Sequence, residues 1–258
     1  MKKITNFFIF FLICYVGMCA MLFFTQRSLL YHPVKNSTPP TGWIALQKNN
    51  YILGIENKIQ SDKTIVIFHG NSQNASSKTH YEKMFPNTKI IINEYPTFGL
   101  NNKNILNEAS IREQAHELMT YVTENYNPKN TLLIGESLGT GVASLMAKEF
   151  DIPQVVLITP YTSLKEVAQF RYWFAPAKYL LKDNFDNIAN LTDYKGKVLI
   201  VMAQNDNVIN VKFAQTLFDT LKSTKQSILV ENAGHSTWRN FLTTPQKEML
   251  SFFIKNNT

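Results

Sequence analysis

Apolar positions divide the chain into two regimes. From Phe7 to Phe24 (FFIFFLICYVGMCAMLFF) they run on without a single charge. At about 1.5 Å rise per residue such a helix spans about 27 Å, close to the hydrocarbon core of a bilayer. Beyond it, short β-rich runs recur: Thr64–Phe68, Lys89–Asn93, Thr131–Ile134, Val155–Ile158, Val198–Met202 and Ser227–Val230. Runs this short and this apolar predict strands buried on both faces of a parallel sheet. Ahead of them, two apolar stretches between Trp43 and Asn57 flank the polar tract Gln47-Lys48-Asn49-Asn50, predicting a hairpin.

Helical patterns fill the intervals. Ser110-Ile-Arg-Glu113 reads as a capping box, followed by Ile111, Ala115, Leu118 and Val122 on one face. A second helix follows Ser137, a third starts near Asn210, and Pro245 suits the first turn of the last. Strand and helix alternating over about 200 residues predict an α/β fold with a doubly wound, mostly parallel sheet. The loosest stretch, Tyr161–Gly196, is too short for a separate lid domain and is expected to form a short cap segment. The expected organisation is thus an anchor and its flanks over residues 1–35, then one domain over residues 36–258.

Charge sharpens the reading of the N-terminus. The chain of 258 residues carries net +7, but residues 1–35 hold Lys2, Lys3, Arg27 and Lys35 and no acid. Without these four, 22 basic face 19 acidic residues, so the rest of the chain is only +3. The excess flanks the apolar segment, as topology signals do, and nucleic acid is not expected as a partner. The segment is longer than a signal-peptide core and no A-x-A site follows it. Cys19 after Val16-Gly17-Met18 fits a lipoprotein signal poorly, because of Met18. An uncleaved transmembrane helix is therefore expected, with Lys2 and Lys3 cytoplasmic and the bulk of the chain extracytoplasmic, or secreted or periplasmic if the segment is cleaved. Arg27 and Lys35 pull against that orientation. Both cysteines, Cys14 and Cys19, lie in this segment, which excludes a disulfide framework.

The candidate chemistry starts at Gly135-Glu136-Ser137-Leu138-Gly139, a G-x-S-x-G turn joining a predicted strand to an apolar helix. Such a turn projects the serine oxygen from the carboxyl edge of the sheet, ahead of helix amides that favour developing negative charge. A serine hydroxyl needs a base to become nucleophilic. Of five histidines only His235 lies after Ser137, in the loop that follows the final strand. Among the intervening acids, Asp206 alone sits just beyond a buried strand's carboxyl end. Asp151 lies at a strand's entry and Asp219 in a helix pattern, while Asp183 and Asp186 in the irregular segment are the substitutes. Donors for an oxyanion are expected from the Leu138 amide and from the loop His69-Gly70-Asn71-Ser72-Gln73, with Asn71 preferred over Ser72 and His69 structural.

At these residues the chain resembles the α/β-hydrolase family, and within it membrane-anchored α/β-hydrolase-domain serine hydrolases. The segments that carry the resemblance are Gln26-Arg-Ser-Leu-Leu-Tyr31-His32-Pro33, Phe68-His-Gly-Asn71, Gly135-Glu-Ser-Leu-Gly-Thr-Gly141, Pro160-Tyr-Thr-Ser-Leu164 and Gly234-His235. Gln73 and Ala203 depart from it, each standing where such proteins often have glycine. The resemblance implies a serine hydrolase with Ser137 as nucleophile, Asp206 as acid and His235 as base. Esters or thioesters of acyl or lipid-like small molecules near a membrane are the expected substrates. A serine peptidase on the same three residues, or a non-catalytic anchored binding protein, are the alternatives. No metal-ligand spacing such as HExxH occurs, so neither metal nor cofactor is expected. Ser163 reads as a helix N-cap in Ser163-Leu-Lys-Glu166. The aromatic cluster Phe170, Tyr172, Trp173, Phe174, Tyr179 and Phe185 reads equally as an acyl pocket or as packing of the cap. Acyl length, leaving group and oligomeric state are not legible.

Overall fold

The computed structural model describes residues 2–35, 38–48 and 50–255. Asn36 and Ser37 at the expected domain boundary, Asn49 of the polar tract, Met1 and the last three residues lie outside the described residues. Among the described residues, eight strands form one sheet in the order β1-β2-β4-β3-β5-β6-β7-β8. They are β1 (Trp43–Lys48), β2 (Tyr51–Asn57), β3 (Thr64–Phe68), β4 (Lys89–Asn93), β5 (Thr131–Glu136), β6 (Gln154–Ile158), β7 (Lys197–Ala203) and β8 (Lys225–Val230). β1 and β2 form the expected hairpin, β2 runs antiparallel to β4, and all other pairs are parallel.

Burial explains the sequence pattern. Every residue of β3, β4, β5 and β6 is buried, whereas the edge strands β1 and β8 are only partly buried. A strand covered on both faces gains about 1.5–3 kcal/mol from each large aliphatic side chain, so runs such as TIVIF and KIIIN fit only the centre. Ile65, Ile67, Ile90, Ile92, Leu132 and Ile134 face one hydrophobic core, and Val66, Phe68, Ile91 and Leu133 face the other. Helices cover both faces, which makes the sheet doubly wound.

The helices are α1 (Lys2–Leu30), α2 (Tyr81–Met84), α3 (Glu108–Asn125), α4 (Leu138–Glu149), α5 (Leu164–Arg171), α6 (Ala177–Leu180), α7 (Asn187–Leu191), α8 (Val211–Thr220) and α9 (Thr244–Lys255). Asn210 caps α8 and Ser163 caps α5, as expected, the latter accepting from the Glu166 amide at 3.3 Å. The start of α3 corrects the sequence reading. Asn107, not Ser110, is its N-cap: Asn107 Oδ1 accepts from the Ser110 amide at 2.9 Å, and Ser110 Oγ accepts from the Asn107 amide at 3.1 Å. A reciprocal box therefore exists, one turn earlier than the serine and glutamate imply.

α5 and α6 form the short cap between β6 and β7, and α7 returns the chain onto α4. α1 contains, within Lys3–Leu30, a stretch long and apolar enough to cross a membrane, with a mean hydropathy of 2.6 over an 18-residue window. Its last turns reach the cap, where the Arg27 guanidinium donates to the Asp183 carboxylate at 3.3 Å and Gln26 Nε2 donates to the Leu180 carbonyl at 3.1 Å.

The strand order also fixes where a site can lie. Connections leave β3 towards β4 on one side, and from β5 they proceed to β6, β7 and β8 on the other. A crevice at the carboxyl ends is expected at such a switch. The register sets Phe68 beside Gly135, Glu136 beside Ile158, Ile158 beside Val201, and Ala203 beside Val230. The loops leaving β3, β5, β7 and β8 therefore emerge along one rim.

Candidate active site

Ser137 stands where β5 turns into α4. Its backbone lies at φ 50° and ψ −119°, a region L-residues rarely occupy, and the neighbouring structure holds it there. The Ser137 amide donates to the Ile158 carbonyl at 2.9 Å, tying the turn to β6. A β-carbon at Gly135 would lie 2.5 Å from the Gly139 carbonyl oxygen, and one at Gly139 would lie 2.6 Å from the Phe68 carbonyl carbon. Both glycines are thus required by the approach of α4 to β5 and β3, which is what lets the turn be this sharp.

The three residues the sequence singles out converge on this rim. His235 Nε2 lies 2.9 Å from Ser137 Oγ, and His235 Nδ1 lies 2.7 Å from Asp206 Oδ2. Asp206 Oδ1 accepts from the amides of Val208 and Ile209 at 2.9 and 2.8 Å, so its other oxygen is left to the imidazole. With Nδ1–H donating to the carboxylate, Nε2 presents its lone pair to the serine hydroxyl. That arrangement can accept the hydroxyl proton and stabilise the resulting imidazolium. The substitutes for the acid are engaged elsewhere. Asp183 accepts from Arg27 and from the Tyr31 hydroxyl at 2.9 Å, and Asp186 caps α7 through the Ala189 amide at 2.9 Å.

The loop after β3 lies against the serine: a β-carbon at Gly70 would be 3.4 Å from Ser137 Cβ. Gln73, where the resemblance anticipates glycine, closes this loop by accepting from the Gly70 amide at 3.0 Å. The Asn71 side chain is turned to the segment leaving α1. Its Oδ1 accepts from the His32 amide at 3.1 Å, and its Nδ2 donates to the Leu30 carbonyl. Only the Asn71 main-chain amide is thereby left for the site. Leu138, as the first residue of α4, has no carbonyl one turn back to receive its N–H. His69 is structural as expected: it is fully buried, its Nδ1–H donates to the Gly70 carbonyl at 2.8 Å, and its ring packs 4.3 Å from that of Tyr95.

Sequence reasoning missed the group behind the turn. Glu136, the residue before the serine, is buried, accepts from the Tyr81 hydroxyl at 2.7 Å and forms an ion pair with buried Lys78. Burial pushes the Glu136 carboxyl up, but Lys78 and the donated hydrogen bonds outweigh it and hold its pKa below the ordinary value. Lys78 lies 58 positions away, so no local pattern could pair them. The aromatic cluster also resolves into parts. Phe185 is buried in the core beside Gly141, whereas Phe170, Trp173, Phe174 and Tyr179 are exposed on the outside of the cap.

Comparisons with known proteins bear on this arrangement. No family model matches the chain. A protein of Acanthamoeba polyphaga mimivirus named as an alpha/beta hydrolase is 28% identical over 202 residues, covering 74% of each chain. Alpha/beta hydrolase domain-containing protein 17B of Homo sapiens is 29% identical over 109 residues, 42% of this chain and 36% of the human one. Among solved structures, an esterase of Pyrococcus furiosus shares the fold with a TM-score of 0.67 at 17% identity, covering 87% of this chain and 98% of its own. An alpha/beta hydrolase enzyme from a lagoon-sediment metagenome does so with a TM-score of 0.61 at 22% identity, covering 83% and 100%. An eight-stranded, mostly parallel sheet in this strand order, these relatives and these structural neighbours agree: the chain has the α/β-hydrolase fold and is similar to proteins named as alpha/beta hydrolases.

Proposed function

We propose that this protein is a serine hydrolase that cleaves carboxylic esters or thioesters of acyl or lipid-like small molecules through an acyl-enzyme on Ser137. Ser137 Oγ attacks the acyl carbonyl while His235 Nε2 takes its proton, and Asp206 orients the ring and stabilises the imidazolium. The amides of Leu138 and Asn71 receive the oxyanion of the tetrahedral intermediate. His235 then returns the proton to the departing alcohol or thiol, and water, activated by the same base, releases the acid.

The observation that carries this reading is the unbroken chain Asp206–His235–Ser137, at 2.7 and 2.9 Å, ending on a serine with left-handed backbone. The preference for esters over amides is supported by structural neighbours that are esterases, and the three residues do not themselves choose between the two bonds. A fluorophosphonate probe should label the wild type and leave Ser137→Ala unlabelled. Equal labelling of the two would overturn the reading, and dominant turnover of peptide amides over short esters would make it a peptidase.

The anchor belongs to the same proposal. α1 spans the bilayer, with Lys2 and Lys3 on the cytoplasmic side and residues 36–258, the catalytic domain, on the other. Protease added to intact or outer-permeabilised cells should degrade that domain. Protection until the cytoplasm is opened reverses the topology.

A further inference from the structure

The cap carries more exposed aromatic surface than a watery setting favours. Within the ten residues from 170 to 179, Trp173 is 80% exposed, Tyr179 78%, Phe170 62% and Phe174 44%. Each of these rings removes roughly 150–250 Å² from water when covered, so leaving four outside a small cap calls for something that covers them. Arg171 and Lys178 are interleaved with them and Lys182 follows, and the Lys178 ammonium sits 4.9 Å from the Tyr179 ring. Mixed aromatic and basic side chains of this kind are enriched where protein meets the lipid headgroups.

The position of α1 says what lies opposite. Along its second half, Met18, Cys19, Leu22, Phe23, Gln26 and Leu30 are partly or fully shielded, while Tyr15, Val16, Met21, Phe24 and Leu29 are exposed. The shielded residues share one helical face. At its upper end this face meets the cap: the Lys182 ammonium lies 4.2 Å from the Phe23 ring, the Lys182 amide donates to Gln26 Oε1 at 2.6 Å, and Gln26 Nε2 donates to the Leu180 carbonyl. The apolar run ends at Phe24, and Met18 lies about 9 Å deeper at 1.5 Å per residue. A cap held against this end of the helix is carried down to the level at which the helix enters lipid.

We propose that α5 and α6 form a second membrane contact, in which the cap lies on the phospholipid surface beside α1. Trp173, Phe174 and Tyr179 enter the headgroup–acyl boundary, and Arg171 and Lys178 meet lipid phosphates. The catalytic rim then opens next to the bilayer, because Asn71 of the loop beside Ser137 is bonded to Leu30 and His32, the residues at the helix exit. Substrate would pass from the lipid layer to the site without crossing bulk water. This inference rests on α1 being membrane-embedded and is independent of the chemistry at Ser137.

The chain offers its own probe. It has three tryptophans, of which Trp43 and Trp238 are buried at 7% and 3% exposure and Trp173 is exposed. Full-length protein is reconstituted into phosphatidylcholine–phosphatidylglycerol vesicles with ordinary or brominated acyl chains. Brominated lipid should quench part of the emission, and W173F should remove that quenchable part. Flotation with the vesicles reports insertion of α1 separately, and fluorophosphonate labelling reports Ser137 separately. Protein that floats while Trp173 is reached by aqueous iodide and not by brominated lipid overturns the proposal. Shielding of Trp173 from both quenchers points to a second copy of the chain on this face and overturns it too. Failure to float removes the anchor reading and this inference together, whatever the labelling shows. As a second readout, W173S/F174S should lose turnover of a long-chain ester presented in the bilayer and keep turnover of a soluble short-chain ester. Equal effects on both substrates contradict membrane docking.

Discussion

Asp206 has its two carboxylate oxygens assigned to different tasks, and that division makes its role testable. Oδ1 is held by two main-chain amides and Oδ2 by His235 Nδ1. In Asp206→Asn the amide oxygen suits the loop, which leaves the –NH₂ to face the imidazole. The histidine must then present Nδ1 as acceptor and carry its proton on Nε2, the wrong tautomer for taking a proton from Ser137. We expect kcat on a short ester to fall on the order of 10⁴-fold with the fold intact, as comparable changes do in serine hydrolases. A loss of less than tenfold would move the role to another acid. That these three residues belong together was legible in the sequence from their order and from their places just past strand ends. The Glu136–Lys78–Tyr81 group behind the serine was not, because burial of a charge pair leaves no local pattern. His80 adjoins that group, and burial, with Arg239 and Lys78 nearby, lowers its pKa from 6.5 to about 4. A histidine depressed on folding takes up its proton first in the unfolded chain, so stability present at neutral pH is lost as pH falls from 6.5 towards 4. Glu136, also depressed, extends that loss further into acid. The urea midpoint should therefore drop between pH 7 and pH 5, and His80→Asn should flatten the drop. An unchanged slope in the variant would assign it to other groups.

The junction of β5 with α4 shows how an element is set by backbone approach rather than by side-chain choice. At Gly139 an added β-carbon meets the main chain of Phe68 and His69, which cannot swing aside. Gly139→Ala must push α4 from β3, at a cost of about 1–3 kcal/mol, and it moves the Leu138 amide with it. Gly17→Ala in α1 meets nothing within 4 Å and is expected to be neutral or slightly stabilising. Chemical denaturation of the two variants checks the contrast, and equal effects would contradict it. The central elements were readable because complete burial writes an unbroken apolar run, and β3 and β4 match their predicted spans residue for residue. Ends were less readable. β5 continues through Gly135 and Glu136, since the glycine that looks like a strand terminator is here a place where a helix packs close. At α3 two capping patterns overlap, and the earlier one, with asparagine, satisfies the amides without the glutamate.

At the scale of the whole molecule, Asp183 joins the N-terminal helix to the body. It is only 4% exposed, and it accepts two guanidinium N–H bonds from Arg27 at 3.3 Å and the Tyr31 hydroxyl at 2.9 Å, across more than 150 residues. Burial and the adjacent carboxylate push the Tyr31 phenol far up, so it stays a neutral donor. One residue beyond Tyr31, His32 is bonded to Asn71 in the loop beside Ser137, so one short segment is held at both the cap and the site. Asp183→Ala leaves a buried hydroxyl without its acceptor and frees Arg27, which is itself half exposed and so contributes modestly. The expected cost is about 1–2 kcal/mol, felt as loosening of the segment from Gln26 to His32 rather than as global unfolding. Because Asn71 depends on that segment for the position of its amide, kcat/KM should fall roughly 5- to 30-fold although no residue of the Asp206–His235–Ser137 chain is touched. Tryptic cleavage after Arg27 in detergent should accelerate in parallel. A variant with faster cleavage and unchanged kcat/KM would show that the helix exit and the loop beside the serine are mechanically independent, and a variant unchanged in both would show that Asp183 does not hold the two parts together.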